Sequence, residues 1–316
     1  MKLFGKDLTQ DVVIVAEIGS NHEGDPDKAL ELLALAAEAG ADAVKFQTIR
    51  PRQLVTTSQP ERFAQLSRFA LAEGDFLRLA AEAERLGVGF FSAPFDPESA
   101  AFLAGFCPAL KLASSELTFE PLVRMAARTG RPLIISTGLG TVEEIARTLD
   151  WVQAEIGDVP LQERVVLLQC VVAYPTPIEQ ANVLSVPFLR DRFGVLSGYS
   201  DHTLGLNACR AAAALGACLI EKHFTDRKEG RAFRDHQLSA DPADFRQLVR
   251  DVREIRAALG VRDKRRAEAE LPNLLAVRKG LVAARDLPAG AILTREDIGY
   301  ARPATHFRAD QIEQVI

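Results

Sequence analysis

Two histidines end neighbouring apolar runs in the second half of the chain. His202 ends GVLSGYSDH, and His223 ends CLIEKH. If these runs are adjacent parallel strands, both imidazoles project from the same edge of the sheet and can bind one metal ion. Imidazole suits Mn²⁺, Fe²⁺ or Zn²⁺, and two protein ligands leave positions for water and substrate. We expect Asp201 and Glu221 to orient the rings, whereas the alternative is that both histidines are ordinary polar residues at strand ends.

Two lysines lie inside otherwise apolar runs, Lys45 in VKFQ and Lys111 in LKLASS. Because a charged side chain is rarely buried without a partner, each lysine predicts a neighbouring anion. That anion is either a protein carboxylate or the phosphate or carboxylate of a substrate. Ser114, and Ser136 in the sequence STG, add hydroxyl groups and backbone donors of the kind found in oxyanion sites. Strand-end capping is the alternative for both serines.

One glutamate, Glu17, ends the first apolar run, VVIVAE. A carboxylate near a metal and a lysine is a candidate general base, or a residue that orients a metal-bound water. A salt bridge to Lys45 is the alternative. The position of Glu17 at a strand end makes it a candidate, because a single carboxylate alone is a weak signal.

Eight short apolar runs must position these residues, and nearly every run ends in a polar residue. Segments with helical periodicity lie between most of the runs, as expected for parallel strands connected by helices. Polar side chains at the carboxyl ends of such strands are typical of the active-site face of a (β/α)₈ TIM barrel, an α/β fold. The runs are VVIVAE, DAVKFQ, VGFFS, ALKLASSE, PLIIST, RVVLLQC, GVLSGYSDH and CLIEKH.

The barrel is expected to occupy residues 1–260, and the composition changes after it. Residues 261–278 have the charged composition of a linker, and residues 279–316 alternate like short strands around a turn. Such a short unit is small for an independent core, so we expect it to pack against the barrel or a neighbouring chain. Within the barrel, the polar residues 48–74 contain two prolines and predict a long irregular loop.

Composition and motifs exclude several classes of function. The 316 residues carry a net charge of −5, which offers no basic face for nucleic acid. No apolar run approaches the ~20 residues of a membrane span, and the N-terminal segment lacks the core of a signal peptide, so we expect a cytoplasmic protein. The four cysteines are scattered and predict buried thiols. Without a GxxxxGK[ST] loop, no nucleotide cofactor is expected.

As a set, the motifs resemble the sialic acid (N-acetylneuraminate) synthase family, the phosphoenolpyruvate-dependent synthases of nine-carbon keto-sugar acids. The resemblance extends from about residue 11 onward. Residues 279–303 resemble the first half of the family's antifreeze-like (SAF) domain, so residues 279–316 are expected to form a partial, apparently truncated SAF domain. The motifs, in family order, are AEIGSNHEGD, AGADAVKFQT, SAPFD, KLASSEL, ISTGL, AYPTP, GYSDHTLG and EKHFTD.

The resemblance implies an aldol-type condensation that is catalysed by a C–C bond-forming transferase. Phosphoenolpyruvate attacks the aldehyde of an open-chain N-acylated amino-hexose, which is N-acetylmannosamine or a diacetylated relative; water adds, and phosphate leaves with C–O cleavage. His202 and His223 match the family's ligands for a divalent metal, usually Mn²⁺ with Mg²⁺ or Co²⁺ as alternatives, which polarises the aldehyde. Glu17 matches the acidic residue that handles a proton near the sugar.

The resemblance also implies binding roles. The positions that hold the carboxylate and phosphate of phosphoenolpyruvate are Lys45, Lys111, Ser114 and Ser136. The positions that contact the sugar are Gln47, Tyr174 and Asp235. Arg302, in the sequence ARP, matches a tail arginine that enters the partner subunit's site in a domain-swapped homodimer.

Three departures from the family pattern bear on activity. Val172 replaces a polar residue that often assists the phosphate, and Ala93 stands where threonine is common. The usual PGPDH is AFRDH, which places Arg234 beside the sugar subsite. Two other functions stay open. One is a metal-dependent aldolase or lyase that uses pyruvate and releases no phosphate, and the other is a non-catalytic sugar-phosphate binding protein.

Overall fold

The computed structural model describes residues 1–231 and 233–316. Ala232, the first residue of the AFRDH segment, lies outside the described residues. The chain divides into two compact units, Met1–Gly260 and Val261–Ile316. Among the described residues, no helix combines the length and the apolar character that a membrane span requires.

A parallel β-sheet forms the centre of the first unit. Its strands are β3 (Val13–Gly19), β4 (Ala43–Thr48), β5 (Gly89–Pro94), β6 (Leu110–Leu112), β7 (Leu133–Ser136), β8 (Val165–Cys170), β9 (Leu196–Asp201) and β10 (Leu219–His223), after a short hairpin of β1 (Lys2–Leu3) and β2 (Lys6–Asp7). Within the described residues, the eight strands have the order β5–β4–β3–β10–β9–β8–β7–β6, and the end strands β5 and β6 pack beside each other. The predicted (β/α)₈ barrel is thus confirmed.

Helices follow most of the strands, and most of them cover the outside of the barrel. They are α1 (Pro26–Glu38), α2 (Pro51–Leu54), α3 (Pro60–Phe69), α4 (Glu73–Leu86), α5 (Pro97–Ala104), α6 (Glu120–Arg128), α7 (Val142–Ile156), α8 (Ser185–Phe193), α9 (Asn207–Ala214), α10 (Asp235–Leu238) and α11 (Pro242–Leu259). Helices α2, α3 and α10 instead contribute residues to the pocket described below. Asp25, Asp96 and Asp241 cap α1, α5 and α11 by accepting backbone N–H groups. Each cap precedes a proline at the first helical position, where the missing N–H has no intrahelical partner to lose.

The prediction of a long irregular loop at residues 48–74 was wrong, because this segment contains helices α2 and α3. The prolines that suggested a loop, Pro51 and Pro60, are the first residues of these two helices. Proline is favoured at this position because its fixed φ matches the first helical turn. Leu66 and Phe69 of α3 are buried, so the helix packs through one apolar face.

The second unit contains α12 (Leu274–Val277), β11 (Gly280–Ala283) and β12 (Ile298–Ala301). The two strands pair antiparallel, with Gly280 opposite Ala301. A Cβ atom on Gly280 would lie 2.8 Å from the Cα of Ala304. The close approach of these two backbone segments therefore requires glycine at position 280.

Candidate active site

A pocket of about 370 Å³ opens at the carboxyl ends of the barrel strands. It brings together ten of the eleven residues predicted from the sequence: Glu17, Lys45, Gln47, Lys111, Ser114, Ser136, Tyr174, His202, His223 and Asp235. The eleventh, Arg302, belongs to the second unit, and its role in a partner's site stays a prediction. The location of the pocket is the one where (β/α)₈ barrels carry their active sites.

Four buried charges form the floor of the pocket. Lys45 Nζ lies 3.2 Å from Glu17 Oε2 and 2.9 Å from Glu221 Oε1. Lys111 Nζ lies 3.7 Å from the same Glu221 oxygen. All four side chains are at most 5% exposed. The salt bridge between Lys45 and Glu17, the alternative considered for that glutamate, is therefore present, and it lies inside the pocket.

Burial and neighbouring charges move the pKa values of this cluster in different directions. Burial raises the pKa of Glu17 to about 7, against the opposing charge of Lys45. Burial also opposes the charge on Glu221, but Lys111 and Lys45 lower its pKa to about 2. Burial lowers the pKa of Lys111 to about 8, whereas Glu17 and Glu221 hold the pKa of Lys45 above its usual value despite burial. Glu17 and Lys111 therefore have the pKa values closest to neutral pH.

Small polar groups surround Lys111 and leave room for an anion. Lys111 Nζ donates to Ser136 Oγ at 2.8 Å, and the backbone N–H of Gly138 donates to Ser114 Oγ at 3.1 Å. A Cβ on Gly138 would lie 2.7 Å from both Ser114 Oγ and Val172 Cγ2. Because only glycine fits at this turn, the backbone can approach a ligand closely. Val172 lines this side of the pocket, and Ala93 is buried in β5.

The two histidines lie side by side on another wall of the pocket, with 5.3 Å between their ring centroids. His202 Nδ1 lies 2.7 Å from the carbonyl oxygen of Val171. Since a carbonyl only accepts, Nδ1 carries a proton, and Nε2 is the ring nitrogen left to face a ligand. Burial, followed by the neighbouring His202, keeps the pKa of His223 well below its usual value, so this ring is neutral.

Within the described residues, neither Asp201 nor Glu221 hydrogen-bonds an imidazole, so the predicted direct contact of these carboxylates with the rings is wrong. Asp201 Oδ2 accepts a hydrogen bond from Lys222 Nζ, whereas Glu221 Oε1 accepts from Lys45 and Ser200. Among the described residues, there is no cluster of three or more histidines, cysteines, aspartates and glutamates arranged to hold a metal.

Aromatic and amide groups form the sugar side of the predicted site. Gln47 Nε2 donates to Glu17 Oε1 at 3.1 Å. The ring centroids of Tyr174 and His202 lie 4.2 Å apart. The guanidinium carbon of Arg234 lies 4.9 Å from the centroid of the Tyr174 ring, in a cation–π contact. Arg234 Nε also donates to Asp235 Oδ1 at 3.3 Å. The departure at Arg234 thus faces the pocket directly.

Part of the lining was not predicted from the sequence. Glu221 was noted, but not as the partner of Lys45. The apolar outer wall comes from α2 and α3, which were predicted as a loop, and includes Leu54, Leu66 and Phe69. The prolines at the starts of these helices were the signal that could have revealed them.

The NeuB family model matches residues 32–264, which is more than half of the chain. The chain belongs to the NeuB family. The SAF domain model matches residues 278–316, so this NeuB-family chain carries a SAF domain at its C-terminus. It is an enzyme, a transferase that forms a carbon–carbon bond.

Named relatives of this NeuB-family chain include two N,N'-diacetyllegionaminic acid synthases. The protein from Legionella pneumophila is 37% identical over 96% of this chain and 88% of its own length. The protein from Campylobacter jejuni is 34% identical over 96% of this chain and 94% of its own length. The crystal structure of the N-acetylneuraminic acid synthetase from Leptospira borgpetersenii in complex with citrate is also similar, with a TM-score of 0.78 and 29% identity over 84% of this chain and 90% of that chain.

Proposed function

We propose that the chain condenses phosphoenolpyruvate with an open-chain N-acylated amino-hexose to give a sialic-acid-type keto-sugar acid and inorganic phosphate. A bond forms between C3 of phosphoenolpyruvate and the aldehyde carbon, and the aldehyde oxygen gains a proton. Water then adds at C2, and the C2–O bond to phosphate breaks. The observation that carries the proposal is the buried Lys45–Glu221–Lys111 cluster beside two histidines in one pocket.

The anionic substrate fits the side of the pocket that contains Lys111. This ammonium group lies next to Ser136 and within reach of Ser114 and the Gly138 turn. Hydrogen bonds from charged donors to phosphate or carboxylate oxygens are roughly twice as strong as neutral ones. An arriving anion would also replace the single distant carboxylate, Glu221, as the counterion of Lys111. We therefore assign the phosphate and carboxylate of phosphoenolpyruvate to this side.

Glu17 is suited to move the proton. Burial raises the pKa of Glu17 to about 7, so its carboxyl group exists in both protonation states near neutral pH. It shares the pocket with His202, His223 and the amide of Gln47. A carboxyl group in this position can protonate the sugar oxygen and later accept a proton from the attacking water.

His202 and His223 fit a divalent metal such as Mn²⁺. His223 Nδ1 is buried and, within the described residues, has no hydrogen-bond partner, and the bond from His202 Nδ1 to Val171 leaves Nε2 as the ring nitrogen for a ligand. Neutral imidazoles are suitable ligands for this class of ion. When bound, the metal polarises the sugar aldehyde.

The sugar occupies the side that contains Tyr174, Asp235 and Arg234. The aromatic face and the apolar outer wall suit the methyl groups of acylamino substituents, and Arg234 adds N–H donors for an acyl oxygen. The diacetylated products in the names of two relatives agree with this assignment. Both N-acetylmannosamine and a diacetylated amino-hexose therefore belong in the test.

The decisive experiment measures phosphate release from phosphoenolpyruvate with Mn²⁺ and each of these sugars, with pyruvate plus sugar as the control. We expect phosphate and a new keto acid in stoichiometric amounts with at least one sugar, and no product from pyruvate. Product from pyruvate without phosphate would instead identify a metal-dependent aldolase. Binding of phosphoenolpyruvate without turnover of any sugar would support a binding protein.

A further inference from the structure

A second buried ion pair lies on the other side of the strands that lead to the two histidines. Lys222 of β10 is opposite Asp201 of β9 in the strand register, and their Nζ and Oδ2 atoms lie 2.7 Å apart. The two side chains are 1% and 0% exposed. Cys209 of α9 donates its thiol to Asp201 Oδ2 at 3.4 Å. The pair therefore lies between the sheet and α9, away from the pocket.

This ion pair holds both backbone polar groups of the residue that follows His202. Asp201 Oδ1 accepts the N–H of Thr203 at 2.9 Å, and Lys222 Nζ donates to the carbonyl oxygen of Thr203 at 2.6 Å. The carbonyl of His202 itself accepts the N–H of Thr176 at 2.8 Å. The backbone is thus fixed at the carbonyl of His202 and at the residue that follows it.

The same lysine also precedes His223 directly. Because side chains alternate along a strand, Lys222 points towards α9 while His223 points into the pocket. One ammonium group therefore connects the two chain segments that carry the histidines. A shift of one segment relative to the other would break a buried, charged hydrogen bond, which costs more than breaking an exposed one.

We propose that Lys222 and Asp201 are positioning residues that set the spacing of His202 and His223 for a divalent metal. The inference rests on the metal site of the proposed function. A buried ion pair adds little net stability compared with apolar side chains of similar volume, so stability alone does not account for it. Because the described residues offer two histidines and no larger ligand cluster, metal affinity depends strongly on the spacing of these two rings.

The test measures Mn²⁺ affinity by electron paramagnetic resonance, which detects the free ion. Lys222→Met leaves Asp201 buried without its counterion, so the double variant Lys222→Met/Asp201→Asn, which removes both charges, is measured beside it. We expect the Kd for Mn²⁺ to rise about 10–100-fold in the double variant. The Kd for phosphoenolpyruvate, measured by calorimetry, should change less than about threefold, because the side of the pocket around Lys111 is untouched.

Lys28→Met is the matched control. It removes an ion pair of similar length, 2.8 Å to Asp226, that connects α1 to the loop after β10 instead of the two histidine segments. A folded double variant with wild-type Mn²⁺ affinity would overturn the inference. Equal weakening of Mn²⁺ and phosphoenolpyruvate binding would also overturn it, and so would failure of the double variant to fold. In either case the ion pair would stabilise the whole barrel and not the spacing of the two histidines. A wild-type protein that binds no divalent metal would overturn the metal assignment of the proposed function as well.

Discussion

Two clusters of buried charge lie on opposite sides of the same strands, and they differ in how completely their polar atoms are paired. On the pocket side, Glu221 Oε2 and His223 Nδ1 have no hydrogen-bond partner within the described residues. On the helix side, Lys222 Nζ has two acceptors, and both oxygens of Asp201 have donors. Buried polar atoms are nearly always paired in folded proteins, so unpaired ones indicate where a ligand supplies the missing partner. Between these two clusters, the pairing of the charged and imidazole atoms differs more than their burial does.

The two lysines on these sides show the same contrast. Lys222 has a carboxylate and a carbonyl as close acceptors, whereas Lys111 has a serine hydroxyl and a carboxylate oxygen 3.7 Å away. The pKa of Lys111 is low because burial disfavours its charged form and the neighbouring carboxylates offset this only in part. Its protein surroundings therefore stabilise the ammonium group less than a bound anion would.

The largest effect on activity is expected from Glu17→Gln. The amide keeps the size of the side chain and can still accept from Gln47, but it cannot carry the proton, so kcat should fall about 10²–10⁴-fold. The free energy of unfolding should change by less than about 1 kcal/mol, because burial already disfavours the charged carboxylate. Steady-state kinetics and urea unfolding measure the two quantities.

Glu116→Gln is the matched control for that variant. Burial raises the pKa of this glutamate too, but it is not among the residues that line the pocket in the described part of the chain. We expect its kcat to stay within about twofold of wild type. Equal losses in the two variants would mean that Glu17 acts through the fold and not on the proton.

A smaller effect is expected from Lys111→Met. Loss of a charged hydrogen bond to the anion should raise the KM for phosphoenolpyruvate about 10–100-fold and leave the KM for the sugar unchanged. Removal of an undercompensated buried charge should not lower the free energy of unfolding. An effect confined to the sugar KM would instead place Lys111 on the other side of the pocket.

The smallest effect is expected from Arg234→Ala. The guanidinium group is largely exposed and contacts Tyr174, so its loss should raise the KM for the preferred sugar about three- to tenfold, with the KM for phosphoenolpyruvate unchanged. Arg227→Ala, an exposed arginine seven positions earlier, is the control and should have wild-type kinetics. A change in the phosphoenolpyruvate KM would show that Arg234 acts on the anion side.

The sequence was sufficient to predict the barrel and most of the pocket. Parallel strands that are buried on both faces are continuous apolar runs, and their carboxyl ends converge wherever the strands form a barrel. A charged lysine inside such an apolar run, as at Lys45 and Lys111, breaks the local pattern. It therefore indicates a functional site even before any contact is known.

The partners of charged residues could not be predicted from the sequence. Glu221 and Lys45 are 176 positions apart, and Asp201 lies beside His202 in sequence but faces the opposite side of the strand. Adjacent residues in a strand point to opposite faces, so proximity along the chain favoured the wrong partner for Asp201. Glu221 shares the pocket with His223, but its partner is Lys45 on a different strand. Helices α2 and α3 were missed because proline indicates a helix start as well as a loop.

The order of the strands has a consequence for the proposed binding of phosphoenolpyruvate. Strand β6, which carries Lys111, is an end strand of the sheet, so its ladder of hydrogen bonds runs to β7 on one flank, while β5 packs on the other. An anion bound between Lys111 on β6, Ser136 on β7 and Lys45 on β4 would connect strands on both sides of the contact between β5 and β6. With phosphoenolpyruvate bound there as proposed, its free energy of binding would also resist separation of β6 from β5.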